Sequence, residues 1–127
     1  MEFTLQTSQK FELINITDQI QKAVEKSGIK EGAALVFVPH TTAAVITSED
    51  ESGLKQDFYN LFKEYLNRSY HHPDGNAEAH ILAGIIGHSR IIPVKSGKLD
   101  LGTWQSVLLA ELDGPRQRRV TVTVLPI

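Results

Sequence analysis

Residues 33–47 read Ala33-Ala34-Leu35-Val36-Phe37-Val38-Pro39-His40-Thr41-Thr42-Ala43-Ala44-Val45-Ile46-Thr47. The first six form an unbroken apolar run of strand length, and Ala43 to Thr47 resumes the strand character. Four residues, Pro39 to Thr42, interrupt it, and polar groups between two buried strands are rarely there for packing. Ser106 to Leu109 is likewise apolar on both sides. Such strands must bury both faces.

Working outward, residues 3–7 alternate apolar with polar as a half-buried strand does, and residues 11–14 are expected to pair with them as a hairpin across Ser8–Lys10. Thr17 is placed to cap a helix whose stripe is Ile20, Ala23 and Val24, ending at Ser27-Gly28. Ser48 and Glu51 have the spacing of a capping box. Behind them Leu54, Phe58, Leu61, Phe62, Tyr65 and Leu66 predict an amphipathic helix to about Asn67. Pro73 and Gly75 mark a turn, and Asn76 precedes a helix from Ala77 to Gly87. Further strands are expected at 90–94, 99–101, 103–110 and 118–125. Strands grouped at both ends around a few helices give one α+β domain over residues 1–127. The expected architecture is two-layered, a mainly antiparallel sheet with helices packed on one face. Its second apolar face then needs a partner, and a homo-oligomer supplies one.

The 127 residues suffice for a core without staples, and the lack of cysteine excludes disulfides and thiolate chemistry. A formal charge of −2 gives no footprint for nucleic acid or anionic membrane. No apolar run approaches a membrane span, and the acidic, alternating start is unlike a signal peptide. These features predict a soluble, cytoplasmic protein.

Three polar clusters stand out. His71 to His80 holds three of the five histidines, with Asp74 and Glu78, at a turn–helix junction. His72 in the loop and His80 in the first helical turn can face one point, which suits a divalent metal or acid–base work. Of the adjacent pair, His71 is expected to face solvent. His40 lies between two core strands, beside Thr41 and Thr42, whose hydroxyls could equally serve local backbone groups. Leu101 to Gln105 holds the only tryptophan, Trp104, which reads evenly as core or as a ligand stack. Glu111 to Arg116 ends a strand in an Asp-Gly-Pro turn. Arg116 can hold a phosphate or carboxylate, and Glu111 needs a partner or a metal. Arg118 and Arg119 read as a solvated rim. No phosphate-loop, dinucleotide, nucleophile-elbow or zinc-protease motif occurs. Residue chemistry alone stops at a His/Glu/Asp site with a nearby arginine, fit for metal-assisted phosphate or hydrolytic chemistry.

Taken together, Pro39-His40-Thr41-Thr42-Ala43-Ala44-Val45, Gly75-Asn76-Ala77-x-Ala79-His80, Leu101-Gly102-Thr103-Trp104-Gln105 and Glu111-x-Asp113-Gly114-Pro115-Arg116 resemble the YjbQ-like family of small proteins, also named secondary thiamine-phosphate synthases. The resemblance runs from about Phe3 to Val124. It implies a two-layer α+β fold assembled as a homotrimer. It also implies joining of a pyrimidine pyrophosphate to a thiazole phosphate with release of pyrophosphate, as a side activity. The family's site histidines match His40, His72 and His80, and its acidic positions match Glu49 and Glu111. The segment Asp50 to Gly53 departs from the family pattern, being a residue shorter and without its Asn-x-Asp-Pro character.

On this reading His40, His72 and His80 would bind a divalent metal, zinc by ligand type, or magnesium with a pyrophosphate substrate. The three side chains should then converge within roughly 4–8 Å. Glu111 or Glu49 would act as acid/base together with His40. Arg116 would hold a phosphoryl group, with Thr41, Thr42, Asn76, Trp104 and Gln105 binding the rest of the substrate. The alternatives are a metal-dependent hydrolase of a small phosphorylated or carbonyl metabolite, and a non-enzymatic trimeric protein that binds a metabolite or metal.

Overall fold

The apolar run at 33–38 becomes the central strand of an antiparallel sheet in the computed structural model, which describes residues 1–127. In chain order the elements are β1 (Glu2–Gln6), β2 (Glu12–Asn15), α1 (Thr17–Ser27), β3 (Gly32–Phe37), β4 (Ala43–Ser48), α2 (Ser52–Lys63), α3 (Ala77–Ile86), β5 (Ser89–Lys95), β6 (Lys98–Leu99), β7 (Ser106–Glu111) and β8 (Gln117–Pro126). The α+β class and the antiparallel pairing are as expected. The single sheet is not: there is a five-stranded sheet in the order β1-β8-β3-β5-β6 and a three-stranded sheet in the order β2-β7-β4.

The second sheet changes the account of the two-sided strands. Val107 and Leu109 of β7 and Val45 of β4 face a first core with Ala34, Val36, Val120 and Val122 of the large sheet. Ile20, Ala23 and Val24 of α1 join that core. Ala44 and Ala110 face a second core, under Phe62 of α2 and Ala79, Leu82 and Ala83 of α3. The small sheet is thus a middle layer, covered on both sides by its own chain, and β7 needs no second copy to bury it. The open apolar face lies on the large sheet instead. Leu35 opposes Ile91, Ala33 opposes Leu125, and Phe37, Ile91 and Leu125 are exposed there, Ile91 by 69%.

The expected hairpin of residues 3–7 with 11–14 does not form. β1 pairs with β8 and β2 with β7, so the intervening loop carries the chain from one sheet to the other. Thr7 directs this crossing: its N–H donates to the Arg116 carbonyl at 2.9 Å and its hydroxyl to Glu111 at 2.6 Å. Long-range partners override local pairing. The expected Ser48–Glu51 capping box does not form: Glu51 is itself the N-cap, accepting from Leu54 N–H and Gly53 N–H, so α2 starts at Ser52 and ends at Lys63, short of Asn67. α1 ends on Gly28 in the left-handed region, as the Ser27-Gly28 signal predicts. Residues 103–105, expected in the strand, form a turn before β7.

Gly114 sits where three segments meet. A Cβ there would lie 2.2 Å from the Gln9 carbonyl oxygen and 2.8 Å from both Glu111 Cγ and Thr7 Oγ1. The backbone contact cannot swing aside as a side chain could. Gly114→Ala should therefore cost about 3 kcal/mol of stability through overpacking, read as a lower urea midpoint at constant m-value.

Candidate active site

The interruption between β3 and β4, the N-terminus of α3 and the turn into β8 meet around a cavity of about 520 Å³. Its walls are His40, Thr41, Thr42, Asn76, His80, Arg116, Gln117 and Arg118, all polar or charged. A larger groove of about 630 Å³ lies between β2 and α2, over Phe11, Tyr59 and Phe62, and carries none of the motif residues.

Beneath the polar cavity, Glu111 is fully buried and Arg118 is 3% exposed. Arg118 Nε donates to Oε1 and Oε2 of Glu111 at 2.9 and 3.0 Å, and its Nη2 donates to Oε2 as well. The same Nη2 reaches Thr42 Oγ1 at 2.9 Å and the Thr42 carbonyl at 3.2 Å. Glu111 also accepts from Thr7 Oγ1 and from the N–H groups of Leu112 and Asp113. A carboxylate so fully engaged beside a guanidinium holds Arg118 in place, a structural part that the acid/base reading of Glu111 does not include. The expectation of a solvated Arg118 fails. The signal was present: Arg118 is two residues from Val120 and four from Val122, on the inward face of β8.

His40 accepts the Arg119 N–H on Nε2 at 2.9 Å. Burial lowers its pKa, the Arg118 and Arg119 charges lower it further, and Glu111 and the Arg119 bond oppose them. A neutral imidazole accepting on Nε2 carries its proton on Nδ1, so His40 is a donor there. Because the folded chain protonates His40 less readily than the unfolded chain, its contribution to stability is complete above the ordinary value of 6.5. It is lost as pH falls from there through the depressed folded value.

Of the expected ligand set, His72 and His80 do meet, with ring centroids 4.8 Å apart in an edge-to-face arrangement. His80 shares the cavity with His40. Yet one His40 lone pair is taken by Arg119 N–H, and no three His, Asp or Glu side chains in the chain are grouped for a metal. The residues of one chain do not fit a three-histidine zinc centre.

They fit an anion better. Asn76 stands at the N-cap of α3, but its side chain does not cap the helix. Its Nδ2 donates instead to Asp113 Oδ2 at 2.8 Å, leaving Oδ1 buried without a partner. Arg116 is fixed at the rim by bonds from Nε to the Asp113 carbonyl and from Nη2 to Asp113 Oδ2. Burial would raise the Asp113 pKa, but hydrogen bonds from Asn76, Arg116 and Lys10 outweigh it and hold the carboxylate below its usual range. An uncapped helix start facing an arginine and two imidazoles is a setting for phosphate. Thr41 lies exposed on the rim, and His71 faces solvent as expected.

Glu49, Trp104 and Gln105 are elsewhere. The β4–β7 register runs from Ala43 opposite Glu111 to Ser48 opposite Ser106. Six paired positions put the two ends about 17 Å apart, with His40 beyond the first and Glu49 and Trp104 beyond the second. Glu49 is exposed, and Trp104 is 75% exposed. Gln105 accepts the Gly102 N–H at 2.8 Å, bracing its own turn.

A family model described as UPF0047 protein YjbQ-like matches residues 1–126. The chain belongs to the YjbQ-like family. A UPF0047 protein of Archaeoglobus fulgidus is 45% identical over 129 residues, covering 98% of this chain and all of the relative. One from Methanothermobacter thermautotrophicus is 43% identical, covering 97% of this chain and 89% of the relative. A crystal structure of a YbjQ-like protein of unknown function from Sulfolobus solfataricus superposes with a TM-score of 0.97 at 46% identity, covering 100% and 96% of the two chains. No helix of the chain is long and apolar enough to cross a membrane.

Glu111→Gln should leave Arg118 buried without its counter-charge and cost about 3–5 kcal/mol of unfolding free energy, measured by urea titration. The paired change Glu111→Leu/Arg118→Met should recover most of the loss. Unchanged stability in the single variant would return Glu111 to the catalytic candidates.

Proposed function

We propose that this YjbQ-like protein is an enzyme acting on a small phosphorylated metabolite. Its phosphate or pyrophosphate docks at the N-terminus of α3, between Arg116, His40 and His80. The observation carrying this reading is the all-polar cavity, which sets an uncapped helix start beside Arg116. The helix dipole, the guanidinium and the Nδ1–H of His40 all favour negative charge at one place.

The reaction proposed is of the thiamine-phosphate synthase kind, as a side activity or the principal one. A thiazole ring nitrogen attacks the methylene carbon of a pyrimidine pyrophosphate. The C–N bond forms as the C–O bond breaks, and pyrophosphate leaves with the electron pair. Charge neutralisation of that leaving group is the main demand on the protein, which Arg116 and the helix terminus answer. A magnesium ion would arrive with the pyrophosphate as part of the substrate. A resident zinc is not assembled by the residues of one chain. Such a substrate suits the cytoplasm.

A hydrolase using Glu111 as base is disfavoured by the Arg118 pair. A binding protein without turnover is the second reading, supported by the want of a free carboxylate in the cavity: Glu111 and Asp113 are both engaged. We also propose that copies assemble as a homotrimer, burying the open face that carries Phe37, Ile91 and Leu125.

Calorimetric titration should show pyrophosphate binding, weakened at least tenfold in Arg116→Ala; no binding at millimolar pyrophosphate would end the anion reading. Pyrophosphate release from the paired pyrimidine and thiazole phosphates then separates enzyme from binding protein. Sedimentation equilibrium should give three times the 14.1 kDa chain mass, and a species of one chain mass at micromolar concentration would remove the trimer.

A further inference from the structure

We propose that each anion cavity is completed by Glu49, Trp104 and Gln105 of a second copy of the chain, which supply the wall for the organic part of the ligand. This rests on the anion reading above and extends it to the rest of the substrate.

The cavity in one chain is half a site. Pockets for small metabolites are lined mainly by apolar and aromatic side chains, with a few polar groups to fix orientation. This one has only the polar groups. It can hold a phosphate, but it has no apolar or large aromatic side chain to cover a ring. Nor does it offer an unengaged carboxylate to accept from ring amino groups.

The far end of the β4–β7 ribbon has what is missing. Trp104 is the only tryptophan and stands 75% exposed. It is held out on a braced turn, with Gln105 N–H donating to the Gly102 carbonyl at 3.0 Å and Gly102 N–H to Gln105 Oε1 at 2.8 Å. A large aromatic held three-quarters exposed is suited to a ring or a neighbour that covers it. Beside it, Asp50 is tied to Lys55 and Asn15, and Glu51 to the start of α2. Glu49 is left over: its side chain makes no hydrogen bond or ion pair, and only its carbonyl is engaged, by Ser48 Oγ. The free carboxylate at this end complements the half-exposed Arg116 at the other.

One chain cannot unite them. A paired ribbon about 17 Å long, packed on both faces, holds the two ends apart. A contact of the Glu49 end of one copy with the Arg116 end of the next can be made head-to-tail, and such a contact closes as a ring where its rotation allows. A trimer is a ring of this kind.

The chain has no cysteine, so introduced ones report alone. Tagged Glu49→Cys and untagged Gln117→Cys chains are co-expressed, purified together and treated with a short bismaleimide. The expected product on a denaturing gel is a cross-link containing one chain of each kind, absent from either variant alone. Failure to form it, or equal cross-linking within the single variants, overturns the proposal; a different protein or only solvent at the Trp104 end gives that result. Trp104 emission is followed alongside calorimetry with pyrophosphate. It should change on saturation and stay unchanged in Arg116→Ala. Calorimetric binding with a silent Trp104 overturns the shared site. An absence of calorimetric binding instead removes the anion reading, and the cross-link then decides the assembly by itself.

Discussion

The buried pair of Glu111 and Arg118 ties together parts of the chain that share no sheet. Glu111 ends β7 in the small sheet, and Arg118 is the second residue of β8 in the large one. Thr7, in the crossing between the sheets, and Thr42, in the interruption after β3, complete the coordination. An isolated charge in this position would be prohibitive, and the pair is tolerable because both Glu111 oxygens and the Nε and Nη2 of Arg118 are bonded. Its value is therefore less in net stability than in uniqueness. One arrangement of four segments satisfies it, and that arrangement sets the floor of the cavity.

Around this floor the layering fixes the walls. The small sheet lies between the large sheet on one side and α2 and α3 on the other, so its strands are immobilised from both faces. The His40–Thr42 turn leaves the large sheet and enters the small one. α3 delivers Asn76 and His80 from the outer layer. The cavity is thus built where three layers end together, and its polar groups are positioned by elements whose own packing is complete.

Much of this was legible along the chain. The turn at 73–75 and Gly87 delimited α3, and the imidazoles of His72 and His80 met as their spacing implied. The polar break at 39–42 did mark a cavity wall. What failed were readings of pairing over distance. A short loop at 8–10 looks like a hairpin locally, but the chain uses it to change sheets because Thr7 is claimed by Arg116 and Glu111. Two-sided apolar strands do not reveal whether a helix layer, a sheet or another molecule covers the second side. Here β7 has the first two, and β3 retains an open face. Arg118 reads as the solvated rim of the Asp-Gly-Pro turn, whereas its strand alternates it with Val120 and Val122 and its partner is an acid seven residues back. Glu49, Trp104 and Gln105 belong to motifs that one chain keeps apart.

The second core is unusually rich in alanine where α3 meets the small sheet: Ala44 and Ala110 below, Ala79 and Ala83 above. Small side chains meet there, and the height of the helix's first turn is set by methyl groups that do not line the cavity. A single added methylene in that layer would lift α3 and carry Asn76 and His80 outward as a unit. The spacing between the helix terminus and Arg116 can therefore be retuned from behind, without altering any residue that touches a ligand. The dimensions of the polar cavity are, in that sense, a property of the hydrophobic layer and not of the polar one.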